Sequence, residues 1–252
     1  MGLFGRKKKD QQDAAPTNAQ EAQSFPPPTT GHGGGEERRG DSEPAAGHRE
    51  IDAYWAQLGT VDPDVITYLI NPMFQGAPAW PNTRQAYRVV RTPNTVIIAS
   101  DGLADASADS PGPGFGCEVY IESPALVGAD FEALRGSWMF AAIENFAQNV
   151  AAMQGISGHL RQYGVASMEL PLEGTDIPPA LLTERGTAGA LIGMPVAGRA
   201  AQVTTSAGPV DIVPLTIVGT DELAVILGQR QAGRDSIVAA RQQDGRGHVT
   251  IT

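Results

Sequence analysis

The feature that most constrains the fold is one long amphipathic segment, residues 129–153 (ADFEALRGSWMFAAIENFAQNVAAM). Apolar side chains recur in it at spacings of three and four, the period of an α-helix that buries one face. This stripe consists of Phe131, Leu134, Trp138, Ala142, Phe146, Val150 and Met153. An apolar helix face must pack against another element, so we predict that the helix lies across a β-sheet with Trp138 and Phe146 in the core.

Short runs rich in β-branched residues lie on both sides of this helix and predict the sheet. Before the helix, AYRVVRTPNTVIIAS indicates two strands that turn at Thr92-Pro93-Asn94, and GFGCEVYIE indicates a third. After it, strands are predicted in VASMEL, in AGALIGMPV and in both arms of AQVTTSAGPVDIVPLTIV, and Thr220 is predicted to cap a further helix. These elements predict a mixed α+β fold, a largely antiparallel sheet flanked by helices.

Two short helices are predicted ahead of these strands. The first is IDAYWAQLG, which begins at Ile51. The second is DPDVITYLI, where Asp62 is a suitable N-cap and Pro63 takes the first helical position.

Residues 1–48 have a different composition from the rest of the chain. They include PPPTTGHGGGEERRGDSEPAAGH and few apolar side chains, so they cannot bury enough surface to offset their conformational entropy. We predict a disordered, low-complexity tail at 1–48 and one α/β domain at 49–252. Arg6 and all three lysines, Lys7–Lys9, lie near the start of the tail, and four charges without a hydrophobic anchor bind an anionic surface weakly.

Charge and cysteine content exclude several classes of protein. The net charge is -10, and residues 51–252 hold 20 of the 28 acids but 11 of the 18 bases. An acidic body repels phosphate backbones, so we expect no nucleic-acid partner; it would attract a basic protein, or serve solubility alone. A single cysteine, Cys117, excludes an intramolecular disulfide. No apolar run is long enough for a membrane span or signal peptide, so a cytoplasmic location is predicted.

The loop that follows the second predicted strand carries three acids, Asp101, Asp105 and Asp109. Their spacing of four suits a helix, but one glycine and two prolines in the loop oppose a helix there. They also do not match the alternating ligands of a calcium loop. We therefore predict no metal site and interpret these residues as exposed carboxylates in a hairpin loop.

Sequence motifs for catalysis and cofactors are absent. The chain has no HExxH, GxSxG, Walker or dinucleotide-binding motif, and His159 and His248 are far apart in sequence. We therefore predict neither a cofactor nor enzymatic activity. The alternative of an enzyme with a carboxylate site, built from Glu118, Glu122 or the loop acids, stays open on the sequence alone.

Three parts of the chain together resemble the bacterial form of the suppressor of fused domain family. They are the segment ASDGLADASADSPGPGFGCEVYIE, the helix after it, and the later run PLT before an acidic helix start. That family has a strand running into Ser-x-Gly-Leu-Ser-Asp, a variable acidic loop, and a strand beginning Gly-Phe-Gly-x-Glu. The matching residues are Ser100, Gly102, Leu103, Asp105, Gly114, Phe115, Gly116 and Glu118, with Ala104 where serine is usual. The resemblance covers roughly residues 51–230.

This resemblance implies a mixed α/β domain that binds proteins and catalyses no reaction. Eukaryotic members hold a transcription factor's peptide as an added strand, and bacterial members are associated with immunity against polymorphic toxins. The chain would then be a cytoplasmic binding protein with a basic peptide or a toxin domain as partner. Its expected partner-binding residues are Asp101, Gly102, Asp105, Asp109 and Glu118. A housekeeping scaffold is a further alternative.

Overall fold

Six α-helices and eight strands make up the part of the chain that the computed structural model describes, residues 47–107 and 112–251. The predicted tail of residues 1–48 lies almost entirely outside the described residues, and Asp109 does too. The helices are α1 (His48–Leu58), α2 (Phe131–Arg135), α3 (Trp138–Ala152), α4 (Ser157–Tyr163), α5 (Thr220–Gln229) and α6 (Gln231–Gln243). Two short 3-10 turns lie at Pro72–Gln75 and Pro179–Leu181.

All eight strands belong to one sheet. They are β1 (Thr60–Thr67), β2 (Ala86–Arg91), β3 (Val96–Asp101), β4 (Cys117–Ser123), β5 (Ala166–Pro171), β6 (Thr187–Ile192), β7 (Gln202–Thr205) and β8 (Gly208–Val218). The strand order is β1-β2-β3-β4-β8-β6-β5, and β7 pairs with β8 beside this path. The β4–β8 ladder is parallel and the other ladders are antiparallel. The predicted mixed fold with a largely antiparallel sheet is confirmed.

Helices cover both faces of the sheet. On one face, α3 contacts β3, β4 and β5, and its apolar stripe shares the main core with Cys117, Val119 and Ile121 of β4. On the other face, Trp55 of α1 packs against Tyr120 of β4, and α5 packs against β6. Because side chains alternate along a strand, the acids of β4, Glu118 and Glu122, lie on the α1 side with Tyr120.

The predicted core positions of the long helix are confirmed, but the helix is interrupted. Trp138 and Phe146 are buried, whereas Met153 at the end of the stripe is exposed. The helix breaks after Arg135, and the Ser137 hydroxyl accepts a hydrogen bond from the Phe140 amide at 3.3 Å, which starts α3 as a new helix.

The prediction of a second helix at residues 62–70 is wrong, because this region forms the edge strand β1. The Asp62 carboxylate does not cap a helix; it accepts hydrogen bonds from the Arg91 guanidinium, with 2.8 Å between Nε and Oδ1. Val61 and Val65 pair with β2, and Pro63 lies between them where the ladder shifts register. Tertiary pairing of β-branched residues therefore outweighs a local helix-start signal.

Two features near the C-terminal part differ from the predictions. The N-cap of α5 is Gly219, one residue before the predicted cap Thr220. The helix α6 is not among the predicted elements, because its sequence, QAGRDSIVAARQQ, is largely polar.

Candidate functional site

Glu118 fixes the start of the acidic loop from within the protein. Its side chain is 2% exposed, and its Oε1 atom accepts hydrogen bonds from the backbone amides of Gly102 and Ala104 at 3.1 and 3.0 Å. The Ser100 hydroxyl donates to Glu118 Oε2 and accepts from the Val119 amide. The serine and glutamate of the family-like motif thus hold the loop onto β3 and β4.

The glycines of the same motif are required by close backbone approaches. Gly102 has a φ of 138°, and a Cβ atom there would lie 2.5 Å from the carbonyl oxygen of Arg84. Gly114 has a φ of 50°, and its Cβ would lie 2.6 Å from the carbonyl oxygen of Leu103. Any side chain at either position would push the loop off the sheet.

The acids Asp101 and Asp105 form internal ion pairs, so the expectation that they are exposed carboxylates is wrong. Asp101 Oδ1 lies 2.6 Å from Arg84 Nη2 and 2.7 Å from Arg88 Nη2, and Asp105 Oδ2 lies 2.9 Å from Arg84 Nε. Both carboxylates are buried. Burial acts to raise the pKa of Asp101, but the charges of Arg88 and Arg84 hold it below its usual value.

A second ionic cluster lies further along the same face of the sheet. Glu122 Oε1 accepts from Arg199 Nη2 at 3.0 Å, and Glu122 Oε2 lies 2.8 Å from His248 Nε2. Burial opposes ionisation of Glu122, yet hydrogen bonds from His248, Arg199 and Thr95 lower its pKa to about 2. This cluster was missed from the sequence, where His248 stands in an uninformative context.

The segment that carries His248 ties two neighbouring strands, β4 and β8, together. The backbone amide of Thr250 donates to the Glu122 carbonyl at 2.9 Å. The hydroxyl of Ser123 on β4 donates to the Thr250 carbonyl at 2.7 Å, and the hydroxyl of Thr216 on β8 donates to the His248 carbonyl at 2.8 Å. Among the candidate catalytic carboxylates, Glu118, Glu122, Asp101 and Asp105 are therefore parts of structural networks.

The environment of Glu118 gives a testable pH dependence. Burial, with a smaller contribution from the charge of Asp101, raises the pKa of Glu118 from 4.5 to about 7. Between these pH values the folded chain keeps a proton that the unfolded chain releases, so Glu118 makes stability fall as pH rises from 4.5 to 7.

We expect the Glu118→Gln variant to lack this pH dependence. Urea denaturation of both proteins across this window should show wild type losing roughly 1 kcal/mol per pH unit relative to the variant. A stability difference that is constant with pH would contradict the assignment.

The two edges of the sheet differ in regularity. β5 pairs with β6 in unbroken register over six residues, from Ala166 opposite Ile192 to Pro171 opposite Thr187. The opposite edge, β1, contains Pro63 and a shift in register. An edge strand directs alternate backbone N–H and C=O groups away from the sheet, so β5 offers the more regular row of such groups.

A crevice of about 310 Å³ opens where β8 changes neighbours from β7 to β6. Its walls are mainly apolar and include Leu160 of α4, Met194 and Val196 of the β6–β7 connection, and Pro214 of β8. At its rim Arg161 Nη1 lies 3.1 Å from Asp211 Oδ2. Gly193, which directly follows β6, also lines the crevice.

Within residues 47–107 and 112–251, no group of three or more histidine, cysteine, aspartate or glutamate side chains is arranged to hold a metal ion. None of the helices in this part of the chain is long and apolar enough to cross a membrane.

Comparison with known proteins gives structural neighbours only. No family model and no curated protein matches the chain. Among solved structures, it is similar to the Sufu–Fu complex crystal structure, with 18% identity over 83% of this chain and 91% of that chain and a TM-score of 0.47. It is also similar to Drosophila Suppressor of Fused, with 13% identity over 72% of this chain, 44% of that chain and a TM-score of 0.41. Both are suppressor of fused proteins, the family that the sequence motifs resemble.

Proposed function

We propose that this chain is a non-enzymatic protein-binding domain that takes an extended segment of its partner alongside β5. The observation that carries the proposal is the unbroken six-residue ladder of β5 at the edge of the sheet. A partner segment added there would bind through main-chain hydrogen bonds, and pockets for alternate side chains would give selectivity.

The state of the buried acids supports binding over catalysis. Both carboxylate oxygens of Glu118 and of Glu122 contact neighbouring donors, and Oδ1 of Asp101 lies against Arg84 and Arg88. A general acid or base must be able to reach a substrate, and these carboxylates are buried within the fold. The alternative enzyme with a site near residues 101–122 therefore has less support from the geometry.

The acidic balance of residues 51–252 favours a basic partner. The resemblance to bacterial suppressor of fused proteins supports a narrower proposal, a cytoplasmic immunity protein that neutralises a polymorphic toxin. A toxin encoded beside this gene would be the first partner to test.

The role of the acidic loop in partner binding stays a prediction. Asp101, Asp105 and Glu118 are buried, so their contribution would come through the shape of the loop, as would that of Gly102. Asp109 lies outside the described residues, and Asp109→Asn tests the charge of the loop. Slower association of a partner at low salt, with no change at high salt, is the expected result.

Strand addition at β5 can be tested by proline substitution at two successive positions. Adjacent residues of an edge strand direct their N–H groups to opposite sides, so Ser167→Pro and Met168→Pro remove one donor that faces outward and one that pairs with β6. The variant that keeps the melting temperature of wild type identifies the outward donor. We expect that variant to lose binding to peptides selected against wild type from a displayed library of short random sequences.

The matched controls are Ser167→Ala and Met168→Ala, which keep both backbone donors and should keep peptide binding. Selected peptides that bind the outward-facing proline variant as tightly as wild type would show that β5 is not the binding edge. A toxin encoded beside the gene, used as a second probe, should respond to the same substitutions.

A further inference from the structure

The two faces of β5 differ in chemistry. Ala166, Met168 and Leu170 lie on the side of α3, where they belong to the main core or pack against it. Because side chains alternate along a strand, Ser167 and Glu169 project to the opposite side. Met168 and Glu169 are both half-buried, as expected for the strand at the end of the described sheet. A segment added beside β5 would meet apolar side chains on one face and polar side chains on the other.

The polar face of β5 carries one carboxylate, that of Glu169. Its Oε2 atom accepts a hydrogen bond from the Thr187 hydroxyl at 2.7 Å and lies 3.1 Å from Arg185 Nη2. The Arg185 side chain is 71% exposed, so solvent weakens its attraction for Glu169. A carboxylate accepts several hydrogen bonds at once. A lysine or arginine of an added segment can therefore share the Glu169 carboxylate with these neighbours.

The chain around β5 is acidic. Residues 165–189 contain four acids and one base, Arg185. The acids other than Glu169 are Glu173, Asp176 and Glu184, and all three are exposed. Their charges attract basic segments and repel acidic ones within the screening distance of about 8–10 Å at physiological salt. The charge near β5 thus favours the same basic side chains as the Glu169 carboxylate.

We propose that β5 selects an extended segment in which basic and apolar residues alternate, an inference that rests on the strand addition proposed above. The apolar side chains of the segment pack beside Met168 on the side of α3, and the basic side chains lie beside Glu169 on the other side. Directly opposite side chains of an antiparallel pair have Cβ atoms about 4.5–5.5 Å apart, so a lysine or arginine there reaches the carboxylate. Each such pair of opposite charges changes the dissociation constant by up to about fivefold.

The test measures the binding of three fluorescent peptides to the full chain by anisotropy. Their central sequences are Lys-Val-Lys-Val-Lys-Val, the block arrangement Lys-Lys-Lys-Val-Val-Val, and the acidic Glu-Val-Glu-Val-Glu-Val. We expect the alternating basic peptide to bind at least about tenfold more tightly than the block peptide, which has the same composition but cannot place its bases on one face. The acidic peptide should bind most weakly. Glu169→Lys should weaken binding of the alternating basic peptide at least about fivefold and strengthen binding of the acidic one.

The matched control is Glu132→Lys, which makes the same change of charge at an exposed residue of α2 and should leave the affinities unchanged. The failure of this selectivity is distinguishable from the failure of strand addition. If library-selected peptides still depend on the outward-facing donor of β5, but the alternating and block peptides bind equally or not at all, the selectivity is wrong and strand addition stands. An unchanged order of affinities in Glu169→Lys would have the same meaning. Peptide binding that survives in the outward-facing proline variant would overturn strand addition and the selectivity together.

Discussion

Replacing Trp138 by alanine is expected to lower the free energy of unfolding by about 3–5 kcal/mol. The side chain is 2% exposed and belongs to the main core between α3 and the sheet. The substitution removes the free energy gained by burying the indole and leaves a cavity. The neighbouring strands cannot move to fill it, because their hydrogen-bonded ladders hold them in place. Urea denaturation monitored by far-UV circular dichroism gives the change directly.

Met153 is the matched control for this substitution. It belongs to the same sequence stripe but is 56% exposed at the end of α3. Met153→Ala should change the free energy of unfolding by less than about 0.5 kcal/mol. If Trp138→Ala left the stability unchanged but removed partner binding, this face of α3 would be an interface and not core.

Removing the carboxylate of Glu122 is expected to have an effect of similar size, about 3–5 kcal/mol for Glu122→Ala. Arg199, whose side chain is 19% exposed, and the buried His248 would both lose the acid that they share. Because the pKa of Glu122 is lowered to about 2 in the fold, its stabilising contribution is present above about pH 4.5 and is lost as pH falls towards 2. The stability difference between wild type and variant should shrink over that range.

An exposed ion pair provides the comparison. Arg185 lies 3.1 Å from Glu169, and its side chain is mostly in solvent. Glu169→Ala should cost no more than about 1 kcal/mol, since exposed pairs gain little over their hydrated state. Equal costs for the two substitutions would contradict the structural role assigned to the cluster of Glu122.

The elements that the sequence predicted well are those whose signal is local and repeated. The α3 stripe and the strands β2, β3 and β4 follow from periods of 3.6 and 2 that extend over several residues. The β1 region was predicted as a helix because its pairing with β2, which makes it a strand, cannot be inferred from the local sequence. In the sequence Asp62 has the features of a helix N-cap. In the structure its carboxylate instead accepts a hydrogen bond from Arg91, 29 residues later.

The candidate site was predicted less completely for the same reason. The motif identified Glu118 and Gly102, but nothing in the sequence shows that Asp101 lies between Arg84 and Arg88. The pairing of His248 with Glu122 joins residues 126 positions apart. Spatial contacts of this kind arise from topology, and a single sequence carries no signal for them.

The parallel ladder between β4 and β8 has a consequence for how the chain folds. Among the ladders of the described residues, it alone joins the two antiparallel groups of strands, β1–β4 and β5–β8. It pairs Cys117 with Asp211, and α3, β5 and β6 lie between them in the chain. Hairpins form quickly because their two strands are near in sequence. This ladder forms only after a long loop has closed, and the conformational entropy of that loop is lost before the contacts of the ladder can compensate for it. Joining of the two halves is therefore expected to limit the folding rate. Until that step, the apolar edges of β4 and β8 are open to other chains, so the interval before the halves meet is the period of greatest aggregation risk.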